Sequence, residues 1–75
     1  MTTPTVKRYW HGDVPTICQL TDRPITTRFI DGATTYGPWA CMSPEGHAVY
    51  GRGLGTGRGQ LYEKQPDGKW LKIDG

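Results

Sequence analysis

The chain has no apolar run approaching the roughly 20 residues that a membrane-spanning helix needs, which argues against a helical anchor. It has a single Phe and an apolar content of 35%, well below the roughly 45–50% usual for globular chains, so a large hydrophobic core is ruled out. At 75 residues there is room for one domain. A core of this size rarely supplies more than about 3–5 kcal/mol, and small domains commonly add a metal, disulfides or a partner. Two cysteines are too few for a disulfide framework. The opening MTTPTVKRYW lacks the apolar stretch of a signal peptide, so the reading is a cytoplasmic chain in which a disulfide would not persist. Nor is there an excess of one charge: a net +2 is too small to imply a polyanionic partner by itself. From Arg52 onward, five cations (Arg52, Arg58, Lys64, Lys69, Lys72) face three acids (Glu63, Asp67, Asp74), a mild basic bias.

What the chain does have is punctuation: eleven Gly and six Pro, which favour turns and short strands over long helices. Residues 1–16 are polar and read as a loosely ordered arm with a short extended stretch from Val6 to Trp10; residues 17–75 read as the domain. ITTRFI (25–30), Asp31-Gly32 and TYGPWACM (35–42) form the pattern of a β-hairpin, Asp-Gly being the strongest short turn cue. Pro38 cannot donate to a ladder, which puts the return strand at an edge or interrupts it there. A second hairpin runs QLYEKQ (60–65), turns at Pro66-Asp67-Gly68 and returns through KWLKID (69–74). Pairing Gln65 with Lys69 sets Lys64 opposite Trp70, Glu63 opposite Leu71, Tyr62 opposite Lys72 and Leu61 opposite Ile73. One face then carries Leu61, Leu71 and Ile73 for a core; the other carries Tyr62, Trp70, Lys64 and Lys72. Between the hairpins, Ser43, Pro44, Glu45 and Gly51 supply the cap, first-turn and stop signals of one short helix over about 44–50. The fold class is therefore small and mainly β, two hairpins around one short helix.

The run GPWACMSPEGHAVYGRGLGTGRGQLYEK resembles small uncharacterised proteins of bacteriophages and some bacteria, of a zinc-ribbon or zinc-knuckle type. Gly37-Pro38-Trp39-Ala40, Met42 and Gly53 through Gln60 carry the resemblance, which covers residues 18 to about 64. It implies two Cys-x-x-Cys knuckles, and here only Cys18 stands at a ligand position. Thr21, Ser43 and Gly46 occupy the other three, and neither a hydroxyl nor a glycine replaces a thiolate. The resemblance thus implies a zinc-ribbon-like fold without an intact zinc site. A substitute set of Cys18, Cys41, His47 and His11 has spacings wider than those of a knuckle. The expectation is no metal and no cofactor, with the cysteines as small buried hydrophobes.

The segment GRGLGTGRGQ (51–60) is neither a P-loop nor a dinucleotide fingerprint. If it is extended, Gly51, Gly53, Gly55, Gly57 and Gly59 leave one side bare. A bare side can receive an aromatic ring of the same chain, permit positive φ, or admit a phosphate to backbone N–H groups beside the arginines. Trp39 is the ring expected on it. No nucleophile–base–orienter set with a recognisable spacing is present, and the chain reads as non-enzymatic. The functional expectation is a phage-type binding protein in the cytoplasm of a bacterial host. It would engage nucleic acid or a phosphate-bearing ligand, with Arg52, Arg58, Lys64 and Lys72 on phosphates and Tyr62 and Trp70 as stacking surfaces. The rival readings are an inhibitor or adaptor of a host protein, possibly one of host defence, and a minor virion protein.

Overall fold

A computed structural model describes residues 7–75. Strands β1 (Arg28–Ala33), β2 (Trp39–Met42), β3 (Gly59–Lys64) and β4 (Trp70–Asp74) form one antiparallel sheet in the order β2-β1-β3-β4. One helix, α1 (Pro44–Tyr50), joins β2 to β3 and packs against β1 and β2. The two hairpins are thus a continuous sheet, zipped together by β1 and β3. The protein is a small mainly-β fold with one short helix.

Helix α1 falls where its local signals place it. Ser43 is extended at the N-cap, its hydroxyl accepts the Gly46 N–H at 3.1 Å, and Gly51 N–H closes the last turn on His47 O. The Pro66-Asp67-Gly68 turn also forms, with Gly68 N–H bonded to Gln65 O and Gln65 N–H to Lys69 O. Lys64 pairs with Trp70, Glu63 with Leu71 and Tyr62 with Lys72. The expected Leu61–Ile73 pair does not form: a bulge after Leu61 sets it opposite Asp74. Bulges insert an unpaired residue and tilt the strand, which here turns Ile73 outward at 43% exposure.

The Asp31-Gly32 turn does not form either. Both residues lie inside β1, and the chain reverses later, where Thr34 N–H bonds Pro38 O and Gly37 N–H bonds Thr34 O. Gly32 has a different task. A Cβ there would stand 2.8 Å from Arg58 O and 3.0 Å from the Gly59 Cα, so β1 and β3 approach this closely only because both residues of the pair are glycine.

The main core is also on the face that the alternation assigned to solvent. Phe29 is fully buried; Tyr62 stacks on it at 5.1 Å, and Trp70 (7% exposed) tilts against it at 5.2 Å. The fourth ring, Trp10, meets Phe29 edge-on at 5.1 Å. It is delivered by the arm, which bonds along the outer edge of β4: Trp10 N–H to Trp70 O, and Lys72 N–H to Arg8 O. Val6, the start of the expected extended stretch, lies outside the described residues. Packed edge-to-face and offset rings add about 0.5–1.5 kcal/mol per pair beyond their buried area. That is how a chain short of aliphatics closes a core. Facing the other way, Ile30 and Met42 form a buried cross-strand pair. At the far edge, Gln19 bonds Cys41 through both its backbone N–H and its side-chain Oε1. Among the described residues no helix is long and apolar enough to cross a membrane.

Candidate functional site

The glycine segment is a looped structure, which corrects the extended reading. Gly55 O accepts from both Arg58 N–H and Gly59 N–H, Gly55 N–H donates to Gly59 O, and this closes a tight loop at the head of β3. Gly53, Gly55 and Gly57 have φ of +79°, +123° and +77°, values that L side chains rarely adopt. The glycine alternation therefore serves backbone conformation. No ring covers it: an added Cβ at any of these three would meet nothing within 4 Å. Trp39, expected on the glycine side, is instead 46% exposed and sits across from Ala33. Gly51 caps the helix and Gly59 is buried in the close pair with Gly32.

Three segments meet around this loop. Thr34 and Gly51 form a bridge, Thr35 N–H bonds Tyr50 O, and Arg52 Nε donates to Thr34 O at 3.2 Å. His47 Nε2 donates to Gly53 O at 2.9 Å, which ties the loop to the helix. Ala33 N–H bonds Arg58 O at 2.8 Å, so Ala33 lies between Trp39 on one side and Arg58 on the other. Tyr36, at the turn, is 72% exposed and stacks on Tyr50 with centroids 5.8 Å apart. One end of the molecule thus presents Tyr36, Trp39, Arg52, Arg58 and the open glycine backbone together.

Charge sharpens this. Among the described residues the one ion pair is Arg28–Glu63 at 2.8 Å, elsewhere on the sheet, so neither Arg52 nor Arg58 is neutralised by a carboxylate. Residues 32–44 and 46–62, which build most of this end, contain no Asp or Glu, while exposed Asp74 borders it opposite Leu61 and Gly75 packs on Gly59 and Gln60. The nearest acid along β1 is half-buried Asp31, whose pKa is raised by burial. Beside it burial, then the Asp31 charge, push Cys41 up to about 11 and hold it as a neutral thiol.

The other expected contacts fall elsewhere. Lys64 is at the opposite end of β3, a strand of six residues spanning about 20 Å. Lys72 lies on the edge strand beside Arg8, within the arm's surroundings. Tyr62 is half-buried in the aromatic cluster, and buried Trp70 offers no open ring face for a base. The sequence signal that would have found Tyr36, Trp39 and Tyr50 is the acid-free stretch around the arginines.

The cysteine and histidine residues do not make a metal centre. Among the described residues no group of three or more His, Cys, Asp or Glu stands close enough to hold a metal, so Cys18, Cys41, His47 and His11 are not assembled. Both cysteines are free. The four positions Cys18, Thr21, Ser43 and Gly46 do converge. A Cβ at Gly46 would lie 2.8 Å from Cys18 Sγ and 3.4 Å from both Ser43 Oγ and Thr21 Cγ2. Zinc needs four donors, and one thiol with two hydroxyls does not fit it. Burial pushes the Cys18 thiol up, but hydrogen bonds from the Thr21 side chain, the Ser43 and Leu20 backbones and the Ser43 hydroxyl outweigh it and bring the pKa down to about 7. Compared with protein-family models, curated proteins and solved structures, the chain matches none.

Proposed function

We propose that this is a small, non-enzymatic, phage-type binding protein that engages nucleic acid or another phosphate-bearing ligand in a bacterial cytoplasm. The observation that carries the reading is the glycine-loop end, where Arg52 and Arg58 have no carboxylate partner and flank a loop in which Gly53, Gly55 and Gly57 carry no side chain. Guanidinium groups match phosphate geometry, and an exposed main chain lets phosphate oxygens approach its N–H groups. The exposed Tyr36 and Trp39 support a second reading, a protein-binding inhibitor or adaptor, because Tyr, Trp and Arg are the residues enriched in binding hot spots.

Salt dependence separates the two. Binding of labelled nucleic acid, measured by fluorescence anisotropy, should weaken with salt at a log–log slope of about −1.4 to −1.8 for two phosphate contacts. Arg52→Ala and Arg58→Ala should each flatten that slope. Failure of single-stranded and duplex nucleic acid and of tripolyphosphate to bind at about 50 mM salt would refute the reading in favour of the adaptor.

A further inference from the structure

We propose that the glycine-loop end is a platform for single-stranded nucleic acid, with Tyr36 and Trp39 as base-stacking rings and Arg52 and Arg58 as phosphate contacts. The inference rests on the phosphate-binding reading above and adds to it the strand state of the partner and the residues that select it.

The first argument is the state of the rings. Tyr36 uses one face on Tyr50 and remains 72% exposed, so its other face is open to solvent. A ring backed by a second ring is already held in place, and a base stacking on it loses little further side-chain freedom. Trp39 is pinned differently, through the ladder position of its backbone opposite Ala33, and is 46% exposed. Bases in a duplex are stacked on one another and present only their edges. Unpaired bases present π faces, and stacking on aromatic side chains is how non-specific single-strand binders hold them.

The second argument is the placement of charge relative to the rings. Trp39, Ala33 and Arg58 lie in one row across the sheet, so Trp39 and Arg58 are two strand spacings apart, about 9.5 Å. Ala33 between them is small. A base on Trp39 and a phosphate on Arg58 can therefore belong to neighbouring nucleotides of an extended strand crossing the row. The strand would then pass Gly53, Gly55 and Gly57, where even an added Cβ would meet nothing within 4 Å. Residues 32–44 and 46–62 hold no carboxylate, and the acids that border the path are half-buried Asp31 and exposed Asp74, which sits opposite Leu61.

The third argument concerns what a duplex reader would need. A major groove about 12 Å wide is read by an inserted helix or a two-stranded ribbon. The sole helix among the described residues has seven residues, with its first turn packed on Cys18. The hairpin turn at this end carries aromatic rings where a ribbon would carry polar base-reading side chains.

The test uses the full chain and three labelled probes: a short oligothymidylate, a mixed-sequence single strand, and that strand annealed to its complement. Both single strands should bind at least about tenfold more tightly than the duplex. Tyr36→Ala and Trp39→Ala should each weaken single-strand binding by roughly 5- to 100-fold, at an unchanged salt slope. Arg58→Ala should lower the slope by about 0.7. Tyr36→Phe should keep the affinity, since stacking needs the ring and not the hydroxyl. Melting curves of each variant establish that it is folded. If duplex and single strand bind equally, the arginine variants weaken both and Tyr36→Ala changes nothing, the single-strand inference falls while the phosphate reading stands. If Tyr36→Phe behaves as Tyr36→Ala, the stacking role falls. If no nucleic acid binds but tripolyphosphate does, the partner is a small anion and the inference is overturned. If nothing binds at about 50 mM salt, both readings fall.

Discussion

Gly32 gives the sharpest test of the fold, because the sequence and the structure assign it opposite tasks. In a two-residue Asp-Gly turn, Gly32 would adopt positive φ, and Asn would be tolerated there better than Ala. In the structure Gly32 is mid-ladder, and the obstacle to any side chain is backbone: Arg58 O at 2.8 Å and the Gly59 Cα at 3.0 Å from an added Cβ. Neither atom belongs to a flexible group that can swing aside. Ordinary contact needs about half an ångström more, so β1 and β3 must separate where Gly32 pairs with Gly59. Overpacking of this kind costs about 1–3 kcal/mol, and with main chain on both sides the upper end applies. Set against the roughly 3–5 kcal/mol that a core this small supplies, Gly32→Ala removes most of the stability. At about 4–8 °C per kcal/mol, the melting temperature should fall by roughly 12–24 °C. Gly32→Asn, being bulkier, should fall at least as far. The measurement is thermal unfolding by far-ultraviolet circular dichroism in a reducing buffer. An Asn variant clearly more stable than the Ala variant, or an Ala variant within about 1 kcal/mol of wild type, would refute the ladder position and restore the turn.

Trp70→Ala should cost about 3–5 kcal/mol, while Ile73→Ala should stay within about 0.5 kcal/mol; denaturant titration checks both, and the reverse order would place the core on the other face. Gly57→Val should lower stability by about 1–3 kcal/mol through its φ alone, and Arg58→Ala should leave the melting curve unchanged. Cys18 makes stability pH-dependent. Its pKa is lowered on folding from 9.0 to about 7, so the unfolded state binds more protons between those values and stability rises with pH across that window, by about 2–3 kcal/mol. Cys41, raised to about 11 chiefly by burial, acts in the opposite sense above 9. Stability measured against pH should show this rise in the wild type, and Cys18→Ala should abolish it. Elemental analysis of the purified wild type should find less than about 0.2 equivalents of zinc, with the fold intact in chelator. The triple variant Thr21→Cys, Ser43→Cys, Gly46→Cys should bind about one equivalent, because its positions already surround Cys18.

Features set by neighbouring residues were legible in the sequence. The helix over 44–50 follows from Ser43, Pro44 and Gly51, and the second turn from Pro66 and Gly68, because caps and tight turns are decided within four or five residues. What failed was decided at a distance. Gly32 looks like a turn glycine until β3 is brought beside it. The Tyr62–Trp70 face looks solvent-exposed until Trp10 and Phe29 arrive to cover it. The glycine alternation suited an extended strand equally well, and only the positive φ at three alternate positions shows that it builds a loop. Of the proposed site, charge alone points to Arg52 and Arg58. The exposure of Tyr36 and Trp39, on which their proposed role rests, is not legible in the sequence because it depends on where the β1–β2 reversal falls.

The seam between Arg8–Trp10 and β4 joins the first described residues to the last strand of the chain. Contacts of such sequence separation carry the largest loop-closure cost, and they form late. Phe29 is therefore synthesised well before Trp70, the ring that covers it, and the nascent chain carries an open aromatic face until β4 emerges. Loss of the final hairpin would leave two aromatic rings, Trp10 and Phe29, without the sheet that seats them. The finished protein and its premature-stop fragments should differ sharply in solubility, the fragments being the species a cell's proteases recognise and remove.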